Sequence, residues 1–236
     1  MIKQKGCLKA RCLFPVLILL FLAFTPSAVF ADATQQDILE AVQKRYKDMS
    51  DMVADYTRVT SSPAMESVFR ASSEHKASGR LLFKKPNKLI INQKKPRPEI
   101  LVTNGDTVWW YIPEDNQVQR YQGPDLFTEL KPFVDFLAGL ASLDDRFTIT
   151  LAPAESVPKN IHELILVPLN KEISPQKVIL WLDARDYSLI GLRFTSILKE
   201  TTDFHFHNVQ YNLGISGDRF EFQIPPGAEV IDAESQ

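Results

Sequence analysis

Two histidines, His205 and His207, have the spacing in this sequence that comes closest to a chemical site. If they lie on a strand, both imidazoles point to the same face, because side chains alternate along an extended chain. Two imidazoles on one face could bind a metal ion together, but a site needs further ligands and the chain has only four histidines in all. We favour the other interpretation, a solvent-facing polar row opposite Phe204 and Phe206.

The usual catalytic patterns do not occur elsewhere in the sequence. It contains no phosphate-binding loop, no dinucleotide-binding glycine pattern, no GxSxG turn and no HExxH pair. Asp144 and Asp145 are adjacent, so their carboxylates should diverge, as is typical of a turn or a helix end. The sequence thus predicts a binding protein rather than an enzyme, with no catalytic residue, no metal and no cofactor.

Bulky apolar side chains are more numerous than a simple sheet requires. The segment from Val108 to Ile112 is bulky on both faces of its predicted strand. An ordinary core between a sheet and its helices explains bulky apolar side chains on one face of each strand. A curved sheet with an apolar hollow under a helical lid explains such side chains on both faces. The residues that we expect to line this hollow are Phe83, Leu89, Ile91, Trp109, Trp110, Trp181, Phe133, Phe136, Leu137 and Leu140.

Two segments have the apolar spacing of an α-helix. Thr34 is the N-cap candidate of a first helix whose apolar face extends from Ile38 to Tyr46. Apolar residues recur at helical spacing again between residues 126 and 140, where Pro132 limits the first part to a turn or a kink.

The remaining segments predict ten or eleven strands, the last of them at Phe220–Gln223. Asn104-Gly105 is the clearest of the hairpin turns that join them. Strands do not alternate with helices as they would in a parallel sheet, so we expect an antiparallel one. A sheet of this width should twist and curl, and the two helical segments are the natural cover for its concave side.

The N-terminus has the pattern of a secretory signal peptide. Basic residues precede an apolar run from Cys12 to Phe24, and small residues follow up to Ala31. The run is short for a membrane span, which favours cleavage after Ala31 over an uncleaved anchor. We therefore expect a signal peptide at residues 1–31 and a single domain at residues 32–236.

Cleavage would leave a chain suited to the periplasm. The mature chain would have 23 basic and 29 acidic residues, a net charge of about −6, which disfavours nucleic acid as a partner. Cys7 and Cys12 would leave with the signal peptide, and no cysteine follows the apolar run as an acceptor for lipid. We expect a soluble, monomeric periplasmic protein that is held together by its core alone.

Four segments of the mature chain occur in an order that is typical of one family. They are VADYT at 53–57, GRLLFKKP at 79–86, ILVTNGDTVWWY at 100–111 and FEFQIPPGAEVI at 220–231. With them, nearly all of the mature chain resembles the LolA-like periplasmic carrier proteins for outer-membrane lipoproteins. The resemblance implies an unclosed antiparallel β-barrel of about 11 strands, wrapped round a hydrophobic cavity with a helical lid.

The resemblance also implies a function and partners. Such carriers accept acylated lipoproteins from an inner-membrane lipoprotein-releasing ABC transporter and pass them to an outer-membrane acceptor lipoprotein. We expect residues 126–140 to form the lid. Similar folds also occur in sensors that bind lipids or lipoproteins and regulate a membrane partner. Those sensors have a further C-terminal domain, whereas this sequence ends at its barrel signature, so we expect a carrier.

One position departs from the family pattern. The family commonly has an arginine immediately before the proline of the second segment, at the cavity mouth, where it hydrogen-bonds the lid. Lys85 matches that position and shares a strand face with Leu81 and Phe83, whereas Lys84 faces the other way. Because lysine lacks the rigid fork of arginine, we expect Lys85 to be a lid latch with less geometric control. The alternative is a pair of ordinary solvated lysines at a strand end.

Overall fold

The computed structural model describes residues 34–63, 75–122, 131–170 and 175–233. The expected signal peptide and the first part of the expected lid, residues 126–130, lie outside the described residues. The described helices are α1 (Gln35–Lys47) and α2 (Lys131–Ala138). The described strands are β1 (Asp51–Ser61), β2 (His75–Lys84), β3 (Lys88–Lys95), β4 (Glu99–Thr103), β5 (Thr107–Ile112), β6 (Gln117–Gln122), β7 (Phe147–Leu151), β8 (Ile161–Pro168), β9 (Lys177–Asp183), β10 (Leu189–Thr195), β11 (Thr201–Tyr211) and β12 (Glu229–Ala233).

These twelve described strands form one sheet in the order β12-β6-β5-β4-β3-β2-β1-β11-β10-β9-β8-β7. The strands β12 and β7 are its two edges, so the sheet is not closed, and the predicted unclosed barrel is confirmed. Neighbouring strands run antiparallel, except that β12 pairs parallel with β6.

The predicted last strand, Phe220–Gln223, is wrong. Gly217–Phe220 forms a turn of 3₁₀ helix, and the strand itself begins at Glu229. Alternation of apolar residues suggested a strand here, but the alternation has another cause. Phe220 is fully buried and Phe222 lies against Trp109, so each aromatic ring anchors an irregular segment to the sheet.

The two faces of the sheet differ in what covers them. We call the face that carries Leu81, Phe83 and Leu180 the inner face, because these residues share one hydrophobic core with both helices. The same core contains Ile38 from α1 and Leu137 from α2. The expectation that the two helical segments cover one side of the sheet is therefore confirmed.

Helix α1 begins with a complete capping box. The amide of Asp37 donates to Oγ1 of Thr34 at 3.2 Å, and the amide of Thr34 donates to Oδ2 of Asp37 at 2.9 Å. This confirms the predicted N-cap. Ile38, Val42 and Tyr46, one helical face, are at most 1% exposed and pack into the core. None of the helices in the described ranges combines the length and the apolar character that crossing a bilayer requires.

Helix α1 also connects distant strands. At its start, the side chain of Gln35 donates to the carbonyl oxygen of Ile149 at 3.0 Å and accepts from the amide of Leu151 at 3.0 Å. Near its end, the hydroxyl oxygen of Tyr46 lies 3.1 Å from that of Tyr211 on β11. The helix thus spans the inner face from the edge strand β7 to the middle of the sheet.

A second, smaller core lies on the outer face of β1 and β2. It is formed by Phe220, Val53 and Leu82. Beside it, the fully buried carboxylate of Asp51 accepts a hydrogen bond from the amide of Leu213 at 2.7 Å. This core fixes the segment that follows β11 against the back of the sheet.

Candidate functional site on the inner face

Strands β2 and β3 supply the apolar floor of the inner face. Phe83 and Leu89 are fully buried and paired in register, and Ile91 pairs with Leu81 one step further along. All four belong to the core that the helices cover. The structure therefore brings these predicted site residues together, and their contact with a ligand stays a prediction.

Helix α2, which we call the lid helix, fills the inner face with aromatic and aliphatic side chains. The ring of Phe133 lies 4.8 Å from that of Phe204, and the ring of Phe136 lies 5.9 Å from that of Phe194. Offset or edge-to-face contacts at such distances add to the stabilisation from buried area. The predicted lid residues that are buried in this way are Phe133, Phe136, Leu137 and Leu140.

The end of the lid helix is fixed to the loop that follows it. Nη1 of Arg146 donates to the carbonyl oxygen of Asp135 at 2.9 Å, and the amide of Gly139 donates to the same oxygen at 3.0 Å. A Cβ atom at position 139 would lie 2.5 Å from Nη1 of Arg146, so glycine is the residue that leaves room for the guanidinium. Two hydrogen bonds thus satisfy a carbonyl group of the last helical turn.

Lys85 does hold a helix, but that helix is α1. Its Nζ donates to the carbonyl oxygen of Tyr46, in the last turn of α1, at 3.2 Å. A cation at this end of a helix is favourable, because the last carbonyl groups lack intrahelical partners. Burial lowers the pKa of Lys85, and the nearby carboxylate of Asp48 opposes this shift. Among the described residues, the hydrogen bond of Lys85 is thus with α1 and not with residues 131–140 of the expected lid.

The three tryptophans of the predicted site do not share one face. Trp110 pairs with Leu101 and so lies on the inner face, where its Nε1 donates to Oε2 of Glu99 at 3.1 Å. Trp109, the next residue, points to the outer face and stacks on Phe222 at 6.2 Å. Its expected position in the hollow is therefore wrong, because neighbouring residues of a strand face opposite sides.

Trp181 is also on the outer face, contrary to our expectation. It alternates with the buried residues Leu180 and Leu182 of β9, which belong to the core. Its ring stacks on His205 at 5.6 Å with only 9° between the planes, and its Nε1 donates to Oε2 of Glu163 at 2.7 Å. Trp181 thus belongs to a polar and aromatic patch on the back of the sheet.

The two histidines lie as the polar-row interpretation predicts. His205 and His207 are exposed on the outer face of β11, whereas Phe204 and Phe206 are buried on the inner one. Across the described part of the chain, no three His, Cys, Asp or Glu side chains are grouped so that they could hold a metal ion.

Sequence reasoning did not assign Phe194 and Phe204 to the site, although they form the surface on which the lid helix lies. Phe204 alternates with the histidines of β11, so its face could have been read from the sequence once those histidines were placed in solvent. Phe194 stands in a strand whose other residues are mostly small or aliphatic, and its contact with Phe133 and Phe136 depends on long-range packing.

An open sheet, antiparallel except at β12, with an apolar inner face covered by two helices, is the architecture that the described residues define. The sequence model of the family described as outer membrane lipoprotein carrier protein LolA matches residues 66–223, more than half of the 236-residue chain. The chain belongs to this family, and the resemblance noted in its sequence is confirmed.

Individual relatives resemble the chain over nearly its whole length. An outer-membrane lipoprotein carrier protein from Albidiferax ferrireducens is 26% identical over 86% of this chain and 95% of the relative. One from Azotobacter vinelandii is 26% identical over 93% of this chain and 98% of the relative. The crystal structure of a LolA superfamily protein from Nitrosomonas europaea aligns with 81% of this chain and 99% of that chain, at a TM-score of 0.43 and 15% identity.

Proposed function

We propose that this protein is a soluble periplasmic carrier that binds the acyl chains of lipoproteins under the lid helix and transports them from the inner to the outer membrane. The observation that carries the proposal is the burial of Phe133, Phe136 and Leu137 against the inner face of an unclosed sheet. These side chains occupy space that acyl chains could take. The proposal is supported by the family of the chain and by relatives that are named outer-membrane lipoprotein carrier proteins.

The need for a carrier follows from the hydrophobic effect. Moving one CH₂ group from lipid to water costs about 0.8 kcal/mol, so a chain of about sixteen carbons costs on the order of 13 kcal/mol. A lipoprotein with two or three such chains cannot cross water unless the chains are covered. An apolar inner face can supply that cover.

Without cargo, the carrier must keep its own apolar surface away from water. A large apolar surface that is open to water would promote aggregation, so it needs a cover of its own. In this proposal the lid helix is that cover, and its aromatic contacts with Phe194 and Phe204 support a closed state of the empty carrier. Closed and open states should differ by only a few kcal/mol, because cargo has to be both accepted and released.

The proposal includes a location, a domain organisation and partners. Residues 1–31 would direct export and be removed, and residues 32–236 would act as one carrier domain without enzymatic activity. The partners would be acylated lipoproteins, an inner-membrane lipoprotein-releasing ABC transporter that supplies them, and an outer-membrane lipoprotein that accepts them.

The test is co-purification of the protein from periplasm, followed by mass spectrometry of what is bound. A carrier should bring down acylated lipoprotein in near-stoichiometric amount. Phe133→Glu should abolish this, because a carboxylate would then face the acyl chain. Leu198→Glu, which introduces the same charge at a residue that is 74% exposed, is the matched control and should load normally.

Two results would contradict the proposal. Recovery of free lipid together with one membrane partner would indicate a sensor instead of a carrier. Equal loading of Phe133→Glu and of the unmodified protein, with both variants shown to be folded by circular dichroism, would show that the lid helix does not cover the site of the cargo.

A further inference from the structure

Polar side chains form a cluster on the inner face next to the lid helix. Tyr56 and Arg58 are two residues apart on β1 and therefore share the inner face. The ring of Tyr56 lies 6.0 Å from that of Phe204, and the ring of Phe204 in turn contacts that of Phe133 in the lid helix. The cluster thus adjoins the space that the lid helix occupies.

Two atoms of this cluster are buried without a hydrogen-bond partner among the described residues. They are the hydroxyl oxygen of Tyr56, a residue that is 2% exposed, and Nε of Arg58. Leaving a buried polar group unsatisfied costs about 1–3 kcal/mol, and such groups are rare in native proteins. Their presence beside a proposed binding site indicates that a ligand supplies the missing partner.

The side chains around these two atoms are already engaged with one another. Nη2 of Arg58 donates to Oε1 of Gln93 at 3.3 Å, and Nε2 of Gln93 donates to the carbonyl oxygen of Arg97 at 3.1 Å. Glu99 accepts from Nε of Arg97 at 2.6 Å and from Nε1 of Trp110 at 3.1 Å. This network holds the Arg58 guanidinium in place and leaves its Nε–H directed elsewhere.

The two free atoms specify the chemistry of their partner. Nε of arginine can only donate, so the partner must be an acceptor. Burial raises the pKa of Tyr56, against a smaller opposing effect of Arg58, so the hydroxyl keeps its proton and can donate as well. Glu99 is paired with Arg97 at 2.6 Å, and the partner of Arg58 is the neutral amide of Gln93, so the Arg58 guanidinium keeps a positive charge that attracts an acceptor oxygen. A carbonyl oxygen meets these requirements, because it accepts through two lone pairs and costs less to bury among apolar chains than an anion does.

We propose that Tyr56 and Arg58 donate hydrogen bonds to a carbonyl oxygen of the ester or amide group that links an acyl chain to its cargo. This inference rests on the proposed carrier function and adds a polar recognition element to it. When the lid helix withdraws Phe133 from Phe204, the tail of the chain can lie in the vacated apolar space. The carbonyl at the head of the chain then meets the two donors.

The test compares two probes that differ only in the carbonyl groups. They are a peptide with an N-terminal dipalmitoylglyceryl-cysteine and its dihexadecyl ether analogue. The unmodified protein should prefer the ester probe, and Tyr56→Phe should reduce that preference by about fivefold, the effect of losing one neutral hydrogen bond. Arg58→Lys should reduce it at least as much, because a hydrogen bond donated by the charged guanidinium is stronger than a neutral one. Arg58→Lys keeps the positive charge and removes Nε. Tyr111→Phe, on the outer face, is the matched control and should keep the full preference.

Thermal unfolding of the free protein gives a second, independent result. Because the hydroxyl of Tyr56 has no partner, Tyr56→Phe should raise the Tm while it weakens binding of the ester probe. A hydroxyl with a purely structural role would lower the Tm when removed. Tyr111 donates to Oδ1 of Asn116 at 3.3 Å, so Tyr111→Phe should not raise the Tm.

The possible outcomes separate this inference from the carrier function. Equal ester preference in the unmodified protein and in Tyr56→Phe, with both probes bound, would overturn the inference and leave the carrier function standing. A lower Tm for Tyr56→Phe would overturn it too, since the hydroxyl would then be satisfied in the free protein. Failure of the unmodified protein to bind either probe would overturn both.

Discussion

Lys85 and Tyr46 are joined by a hydrogen bond in which Nζ of the lysine donates to the main-chain carbonyl oxygen of the tyrosine at 3.2 Å. The bond links the end of β2, at one side of the inner face, to the last turn of α1. Since the first turn of α1 is bonded to β7 through Gln35, the helix is held at both ends. Release of either end would weaken the attachment of the helix, which also depends on the burial of its apolar face in the core.

Lys85→Ala should therefore perturb loading or release of lipoprotein more than Lys84→Ala. Removing the donor leaves the carbonyl oxygen of Tyr46 without its side-chain partner and should destabilise the attachment of α1 by about 1 kcal/mol. Lys84 lies next along β2 with its side chain on the other face, which makes it the matched control. Loading is measured by co-purification of acylated lipoprotein, and release by transfer to outer-membrane vesicles. Equal effects of the two variants would show that Lys85 is no latch.

Trp110→Ala should weaken loading by roughly tenfold, whereas Trp109→Ala should leave it unchanged. The two residues are adjacent and of the same type, but only Trp110 lies on the inner face. Loss of the buried part of an indole costs on the order of 1.4 kcal/mol, which corresponds to that factor. Binding of the dipalmitoylglyceryl-cysteine peptide measures the effect. A loss of binding in Trp109→Ala, with an unchanged circular dichroism spectrum, would place the site on the other face.

The tryptophans also show how far the sequence could predict the site. Alternation alone placed Leu81 and Phe83 on one face with Lys85, and the capping pattern at Thr34 predicted where α1 begins. The same rule cannot say which face of β5 is the inner one, because Trp109 and Trp110 are equally bulky. That choice depends on the register with β4, which is a long-range property of the sheet.

Two further features were beyond sequence reasoning for similar reasons. The partner of Lys85 is a backbone carbonyl group, and any residue at position 46 would supply one. The parallel pairing of β12 with β6 brings together segments more than a hundred residues apart, and no local pattern specifies it. The unsatisfied atoms of Tyr56 and Arg58 are likewise visible only when the neighbouring strands are in place.

Gly79→Ala should destabilise the fold by about 1–3 kcal/mol, as is usual for overpacking. A Cβ atom at position 79 would lie 2.1 Å from the carbonyl oxygen of Asn92, where the register between β2 and β3 shifts. Since Asn92 is part of β3, the two strands would have to separate. Gly217→Ala is the control, because its Cβ would meet only Nζ of Lys88, at 3.5 Å. Urea unfolding midpoints measure the difference, and similar midpoints for the two variants would contradict the close approach.

Stability should fall on acidification in part because of His162. Its ring stacks on Tyr187 at 5.7 Å, and burial lowers its pKa from 6.5, against a smaller opposing effect of Asp183. Between the lowered pKa and 6.5 the unfolded chain binds more protons than the folded one, so stability rises with pH across this window.

The loss of unfolding free energy that His162 causes should thus be absent above about pH 7. It should reach its full size once the pH is below the folded-state pKa of His162. His162→Gln removes the titration and keeps a polar side chain of similar length. The unfolding free energy of the variant, measured in urea at about pH 7.5 and about pH 5, should fall less between the two conditions than that of the unmodified protein. His205→Gln is the control, because His205 is exposed on the outer face. If His162→Gln lost as much stability as the unmodified protein, burial of the imidazole would not contribute to the pH dependence.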